Sequence, residues 1–321
     1  MSNATSTQTS SQTAAQVPDV AIRPLVATDL DAVVALDARI MGRSRRGYFE
    51  RRLNAALRQP KRHLQFALTT PRGVVGFLLG RRAGGEYGRT EEVVVLEAVG
   101  VDPAARHGGL GQKLLAGLET WMKSHGLPRL VTQVDWRNLS MLKFLSSAQF
   151  TLESRPILER LVDRMPLPPT DEEIEQWPPL VRHLKRSDLD AIVRIDQRIT
   201  GVDRRAYFQR KFDEVFDESA IMVSLVAEAD GFPVAFAMAR VDFGDFGHVE
   251  PSAALDTIGV DPAFARRGFG RAMMAQMIDN LAALHVERLE TEVARDNFGL
   301  QKFLFDFDFQ ASQRLSFQRP V

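Results

Sequence analysis

The sequence predicts an α/β protein built from two tandem copies of one domain, each a mixed, mostly antiparallel sheet flanked by helices. An internal repeat is the first observation behind this. Shifted by 159 residues, IRPLVATDLDAVVALDARIMGRSRRGYFERRL (22–53) lies over VRHLKRSDLDAIVRIDQRITGVDRRAYFQRKF (181–212). Sixteen of these thirty-two positions are identical, against about two expected at background amino-acid frequencies. The second observation is an apolar strand, a glycine-rich loop and an amphipathic helix in direct succession, found once in each half. The third is the order of elements, strands alternating with helices around one hairpin, which calls for a mixed sheet. At 321 residues the chain has room for two domains of ordinary size.

The elements follow in order, and each appears twice. A short strand (Val20–Pro24; Leu180–Leu184) leads to a helix expected to be capped by Thr28 or Ser187. A second helix follows the GRSRR or GVDRR turn, near Arg45–Leu57 and Arg204–Val215. Hairpin strands come next, His63–Thr69 with Val74–Arg81 and Ile221–Ala227 with Pro233–Val241. The central strand of the first copy is VVVLEAVGV, ending at Val101, and a turn opens at Asp102-Pro103. The helix beyond it shows Leu110, Leu114, Leu115, Leu118 and Met122 at helical spacing. A strand (Leu130–Val134; Leu289–Val293), a helix (Asn138–Ser147; Asn297–Phe305) and terminal strands are expected to close each copy. Proline and acid mark 165–179 as a linker between a first domain, 19–164, and a second, 180–321. Residues 1–18, rich in Ser, Thr, Gln and Ala, read as a disordered tail without signal-peptide character.

Composition removes several classes of function. Lysine plus arginine equals aspartate plus glutamate at 41 each, so no global basic field invites nucleic acid or acidic lipid. The absence of cysteine excludes disulfides, thiolate nucleophiles and zinc–thiolate sites. Six histidines lie without metal-ligand spacing. No apolar run reaches the length of a membrane span, and a cytoplasmic location is expected.

Strand, glycine loop and helix together make an anion-binding device. The first turn of a helix has N–H groups without intrahelical partners, and the macrodipole adds positive potential there. Gly108, Gly109 and Gly111 leave those amides open to a phosphate. The loop has no GK[ST] ending and Leu114 replaces a third glycine, so neither common nucleotide loop fits. It spells Arg106-His107-Gly108-Gly109-Leu110-Gly111, an R-x-x-G-x-G after a strand ending V-x-V-D-P. The pattern returns in LDTIGVDPAFARRGFGR (255–271), and Asn138 and Asn297 follow at matching distances.

This motif resembles the signature of the GNAT superfamily of acyl-CoA-dependent N-acyltransferases, and the likeness covers both halves. It implies acetyl-CoA as co-substrate and a small-molecule or peptide amine as acceptor; a homodimer is compatible with it. It implies that Arg106, His107, Gly108, Gly109, Leu110, Gly111 and Gln112 hold the pyrophosphate, with Val99, Gly100 and Val101 on the pantetheine arm and Asn138 nearby. The second copy offers Ile258, Val260, Arg266, Arg267, Gly268, Gly270, Arg271 and Asn297, with Ala265 standing where the first has Arg106. The resemblance places a general base on the central strand, which points to Glu97 and, in the second copy, Asp256. Each instead pairs with an arginine of its own domain in the alternative reading. Glu292 resembles another family base position, but its counterpart is Gln133, which cannot take a proton. Many relatives carry a tyrosine seven residues after the asparagine as general acid. Here Leu145 and Leu304 occupy those positions, and Tyr87 is the tyrosine expected nearest the site. With no cysteine, transfer is expected by direct attack in a ternary complex, unless one or both copies bind acyl-CoA without turnover. The duplicated arginine turns (Arg45, Arg46 and Tyr48; Arg204, Arg205 and Tyr207) either face an anionic acceptor or, as the favoured reading, their arginines pair together with Arg39 and Arg198 onto Asp37 and Asp196.

Overall fold

The structure is a computed structural model that describes residues 20–105, 108–162, 179–218, 221–242 and 251–321. The tail, most of the expected linker, and Arg106 and His107 of the first loop lie outside the described residues. In the first copy β1 (Ala21–Pro24) precedes α1 (Leu30–Met41) and α2 (Arg46–Arg58). Then come β2 (His63–Thr70), β3 (Gly73–Gly84), β4 (Glu92–Val101), α3 (Leu110–Ser124) and β5 (Arg129–Asp135). Helix α4 (Leu139–Ser147) and strands β6 (Thr151–Leu152) and β7 (Ile157–Leu161) follow. The second copy repeats the order with β8 (Leu180–His183), α5 (Leu189–Thr200), α6 (Arg205–Asp213), β9 (Leu225–Ala229) and β10 (Phe232–Asp242). It continues through β11 (Ser252–Val260), α7 (Phe269–Ala283), β12 (Arg288–Glu292), α8 (Phe298–Phe305), β13 (Gln310–Ala311) and β14 (Arg314–Pro320).

These strands form two seven-stranded sheets, ordered β1-β2-β3-β4-β5-β14-β6 and β13-β7-β12-β11-β10-β9-β8. Neighbours pair antiparallel except β4 with β5 and β11 with β12, where the long helix crosses over between parallel strands. The expectation that terminal strands close their own copy is corrected here. β14, from the end of the second copy, inserts beside β5 with Ser316 opposite Gln133. β7, from the end of the first, inserts beside β12 with Ile157 opposite Glu292. The exchange is reciprocal, and each copy's open β5-type edge is covered by the other copy's last strand.

The helices pack as their periodicity requires. Leu114, Leu115, Leu118 and Met122 of α3 are fully buried against one face of the first sheet, each contributing about 1.5–3 kcal/mol. Val33, Leu36, Tyr48 and Phe49 cover the other face with Phe77. The second copy repeats both layers, with Met273, Met277 and Leu281 on α7 and Ile192, Tyr207 and Phe208 on the opposite side. Of the Phe-rich stretch, Phe307 and Phe309 enter this core.

The expected caps Thr28 and Ser187 are also corrected. They sit inside 3-10 turns, and the working residues are the next ones, Asp29 and Asp188. Each carboxylate turns back to accept an N–H, from Val26 at 2.9 Å and from Lys185 at 2.7 Å. Each also takes a forked guanidinium from the first strand of its copy, Arg23 or Arg182. A carboxylate that can satisfy both partners displaces a hydroxyl from the capping role.

Candidate active site

The first copy's loop is shaped for an anion. Gly109 caps α3 at φ +67 and has no side chain to satisfy the helix, so the amides of Leu110, Gly111 and Gln112 keep no intrahelical acceptor. Nothing lies within 4 Å of where a Cβ on Gly109 would stand. Gly111 is needed for a different reason: its Cβ would come to 2.8 Å from the ring of Phe144. The turn before the loop is fixed by Asp102, which accepts the N–H of Ala104 at 2.9 Å and Arg39 at 2.8 Å.

Beside this loop the sheet opens. β4 and β5 pair only at Val94–Leu130 and Val95–Val131, and Thr132 Oγ1 then donates to the Leu96 carbonyl at 2.8 Å. Beyond that bond the strands part, leaving one edge of β4 from Ala98 to Val101 unpaired within the sheet. The cleft so formed is a cavity of about 750 Å³ that reaches from Gly109 and Gln112 past Val99 to Glu97 and Asp135. Asn138 lines it too, and its Oδ1 caps α4 by accepting the N–H of Met141 at 3.1 Å.

Glu97 stands at a β-bulge: Leu79 pairs with Ala98 and Gly80 with Leu96, so Glu97 is the extra residue. Its carboxylate is buried and contacts two cations, Arg81 Nε at 2.8 Å and Arg52 Nη2 at 3.1 Å. Asp256 occupies the equivalent bulge between Leu255 and Thr257. Its partners are Lys211 Nζ at 2.8 Å and Arg240 Nε at 3.4 Å, the equivalents of Arg52 and Arg81. Both strand carboxylates are therefore ion-paired within their own copy. Only Glu97 also lines a large cavity. Burial lowers the pKa of Lys211, with Asp256 and Glu86 opposing that shift.

The second copy's cavity is smaller, about 460 Å³. It lies between Ile258, Val260, Arg266, Gly268, Gly270 and Arg271 and is bounded by Phe303 and Phe307. Gly268 caps α7 at φ +78 without side-chain help, as Gly109 does. Arg271 packs over Phe307 and Arg267 over Phe264. Neither Asp256 nor Asn297 lines this cavity, and Asn297 caps α8 by accepting the N–H of Leu300.

Glu292 is placed away from both cavities. It is buried, accepts Gln133 Nε2 at 2.7 Å and pairs with Arg89 at 2.7 Å. Burial pushes its carboxyl above the ordinary range, and the Arg89 charge pulls the other way. Tyr87 likewise turns into the seam between the copies, at φ +56, where burial and Asp256 raise its hydroxyl. Among the described residues no tyrosine lines the larger cavity. Of the duplicated arginines, Arg45 forks onto Asp37 at the wall of the larger cavity and Arg204 onto Asp196, whereas Arg46 and Arg205 pair at the surface with Asp31 and Asp190. Arg39 and Arg198 pair instead with Asp102 and Asp261 of the turns before the loops.

Arg314 and Asp135 are among the cavity residues that escaped sequence reading. Arg314 starts β14 and reaches the first copy's cavity only through the strand exchange. Asp135, its register partner, is held at about 2 by its hydrogen bond to Arg137. Nothing local in either segment signals the meeting. No helix among the described residues is long and apolar enough to cross a membrane.

Comparison with known proteins bears on this geometry. The model of the acetyltransferase (GNAT) family matches residues 31–149 and 189–309. No match is found among curated proteins. Among solved structures, a GCN5-related N-acetyltransferase from Sphaerobacter thermophilus superposes with a TM-score of 0.61 at 17% identity, covering 94% of this chain and 96% of that one. A tandem GNAT protein from the clavulanic acid biosynthesis pathway gives 0.63 at 15% identity, covering 94% and 98%. The N-myristoyltransferase of Saccharomyces cerevisiae, solved with myristoyl-CoA, gives 0.59 at 14% identity, covering 94% and 80%. At these identities the likeness speaks to the fold.

Proposed function

The chain belongs to the acetyltransferase (GNAT) family, and from that premise we propose that its first copy transfers an acetyl group from acetyl-CoA to a primary amine. The observation that carries this is the cavity of about 750 Å³, which joins a bare helix N-terminus, an open strand edge and a strand carboxylate. These features fit the co-substrate part by part. Amides of Leu110, Gly111 and Gln112 meet the pyrophosphate, and the unpaired β4 edge receives the pantetheine arm as an added strand would. Bound there, acetyl-CoA supplies an activated acyl carbon with a thiolate leaving group.

The chain's own residues then set the geometry of attack. The amine enters from the side of Asp135 and Arg314 and meets the acyl group in the gap between β4 and β5. Glu97 takes the departing proton through a water, its position fixed by Arg81 and Arg52. The C–N bond forms as the C–S bond breaks, and the thiolate leaves without a tyrosine acid, its pKa lying near that of an ordinary thiol. Glu292 is assigned to holding the copies together and Asp256 to the ion pairs inside the second copy, because neither lines a cavity that fits a substrate. The second copy keeps a phosphate-type loop but has no strand carboxylate in reach, which favours binding without turnover there.

The test pairs calorimetric titration of acetyl-CoA with an amine-panel assay on wild type and Glu97→Gln. Unchanged affinity with transfer lost supports the assignment. Transfer that survives in Glu97→Gln removes Glu97 as base, and a wild type that does not bind acetyl-CoA removes the whole reading.

A further inference from the structure

A second polar cavity, of about 310 Å³, lies at the seam between the copies. Lys61, Arg62 and Arg82 line it from the first copy and Arg210 from α6 of the second, with Gln59, Glu92 and Asp213 completing the wall. Arg62 is neutralised by Glu214. Arg82 pairs with Glu92 at 2.6 Å, but both side chains remain open to water, at 29% and 41% exposure. Asp213 already accepts Gln209 at 3.2 Å. Arg210 gives one N–H to the Gly84 carbonyl at 2.8 Å and meets no carboxylate among the described residues, and neither does Lys61.

The repeat itself provides a control. A seam between two copies of one domain has an equivalent place on the other side of its axis, reached by shifting each residue by 159. In sequence, the positions 159 residues from Lys61, Arg62, Arg82 and Glu92 carry Ala220, Ile221, Val241 and Pro251, and only Arg210 keeps a basic counterpart, Arg51. Lys61, Arg62 and Arg82 are therefore not among the residues that the repeat shares. Lys61 and Arg210, which meet no carboxylate among the described residues, face the same open cavity, and an anion between them would offset their repulsion.

We propose that this seam cavity binds a small phosphate-bearing anion between Lys61, Arg82 and Arg210. Arg210 and the water-exposed Arg82 offer guanidinium donors that suit phosphate oxygens, and the lysine adds a point charge. The volume is sufficient for a group the size of pyrophosphate. Because the ligand would touch both copies, it would stabilise their union by mass action. The inference is independent of acetyl transfer.

Inorganic pyrophosphate is the probe, titrated calorimetrically into the full chain, with citrate in parallel. The glycine loops are a competing phosphate site, so variants separate the two. Lys61→Glu/Arg82→Glu is expected to remove one binding site from the stoichiometry, or weaken it about tenfold or more. Gly109→Glu/Gly268→Glu is expected to retain that site. The milder Lys61→Gln/Arg82→Gln serves should the charge reversal fail to fold, and is expected to lose the same site. Pyrophosphate should raise the unfolding temperature of wild type but not of the cavity variants. The proposal is overturned if the cavity variants bind like wild type, if all binding disappears with the loop variant while that protein remains folded, or if citrate binds as tightly as pyrophosphate.

Discussion

Gln133 Nε2 donates a 2.7 Å hydrogen bond to Glu292 Oε1, and these two residues are the same position in the two copies, 159 residues apart. A pseudo-two-fold axis therefore passes between them. Around it the exchanged strands lie in matching register, Ser316 against Gln133 and Ile157 against Glu292. Buried ion pairs cross between the copies close by: Arg89 of the first copy with Glu292, and Lys211 of the second with Glu86 at 3.3 Å. Burial raises Glu86, but Lys211 and Arg81 outweigh it and hold the carboxyl below its ordinary range.

Near this axis Glu290 gives the fold a pH dependence. Burial pushes its carboxyl up to about 7, while the charges of Arg314, Arg288 and Arg240 pull it down and Glu159 adds to the rise. A folded pKa above the unfolded value of 4.5 means that the native state binds the proton more tightly. That stabilisation is present below the unfolded pKa and is lost as pH rises from about 4.5 through about 7. Glu292 is shifted in the same direction and adds to the trend. Glu290→Gln should therefore gain up to about 3 kcal/mol on wild type between pH 5 and pH 8. Urea unfolding at both values measures it; parallel curves for the two proteins would contradict the assignment.

The strand exchange predicts that neither half folds well alone. Removing residues 314–321 takes β14 from between β5 and β6 and takes Arg314 from the first copy's cavity. The truncated chain is expected to lose cooperative unfolding of the first copy and its affinity for acetyl-CoA. Co-expression of 20–162 with 179–321 should restore both, since each fragment carries the strand that the other lacks. A soluble, fully cooperative 20–162 fragment would show that the exchanged strand is dispensable.

Much of this architecture was legible in the sequence, and the limits are physical. The repeat and the two glycine loops are local patterns, and helices α3 and α7 begin where Gly109 and Gly268 stand. Strand exchange leaves no local trace. The stretch 157–161 has the same composition whether it pairs with its own copy's β5 or with β12, and only the three-dimensional path decides. Glu97 and Asp256 were visible as carboxylates in apolar strands, but their partners Arg81 and Lys211 are set by neighbouring strands and helices. Arg314 was invisible as a cavity residue for the same reason as β14: its site belongs to the other half of the chain.

The duplicated arginine turns predict a measurable coupling. Arg45 and Asp37 form a buried fork, with Nε at 2.9 Å and Nη2 at 2.6 Å. Asp37→Ala leaves that guanidinium buried without its carboxylate, which should cost about 3 kcal/mol or more. Asp37→Ala/Arg45→Met should recover a large part, because it removes both charges and keeps the packing against Tyr48 and Phe49. A double-mutant cycle by thermal unfolding reads the coupling; additive losses would mean that the pair holds nothing together.

Gly111 and Gly270 occupy the same place in the two helices yet differ in what a methyl group would meet. At Gly111 the new Cβ comes to 2.8 Å from the Phe144 ring, whereas at Gly270 the equivalent Phe303 stays at 3.5 Å, an ordinary contact. Gly270→Ala should therefore be neutral or stabilise by about 0.5–1 kcal/mol through helix propensity. Gly111→Ala must displace Phe144, and that ring lines the larger cavity. Acetyl-CoA affinity should fall in Gly111→Ala and return when Phe144→Leu is added, since leucine gives the methyl group room. Calorimetry on the three variants decides the matter. If Gly111→Ala binds as wild type does, the ring moves without cost and Phe144 is no boundary of the acetyl-CoA site.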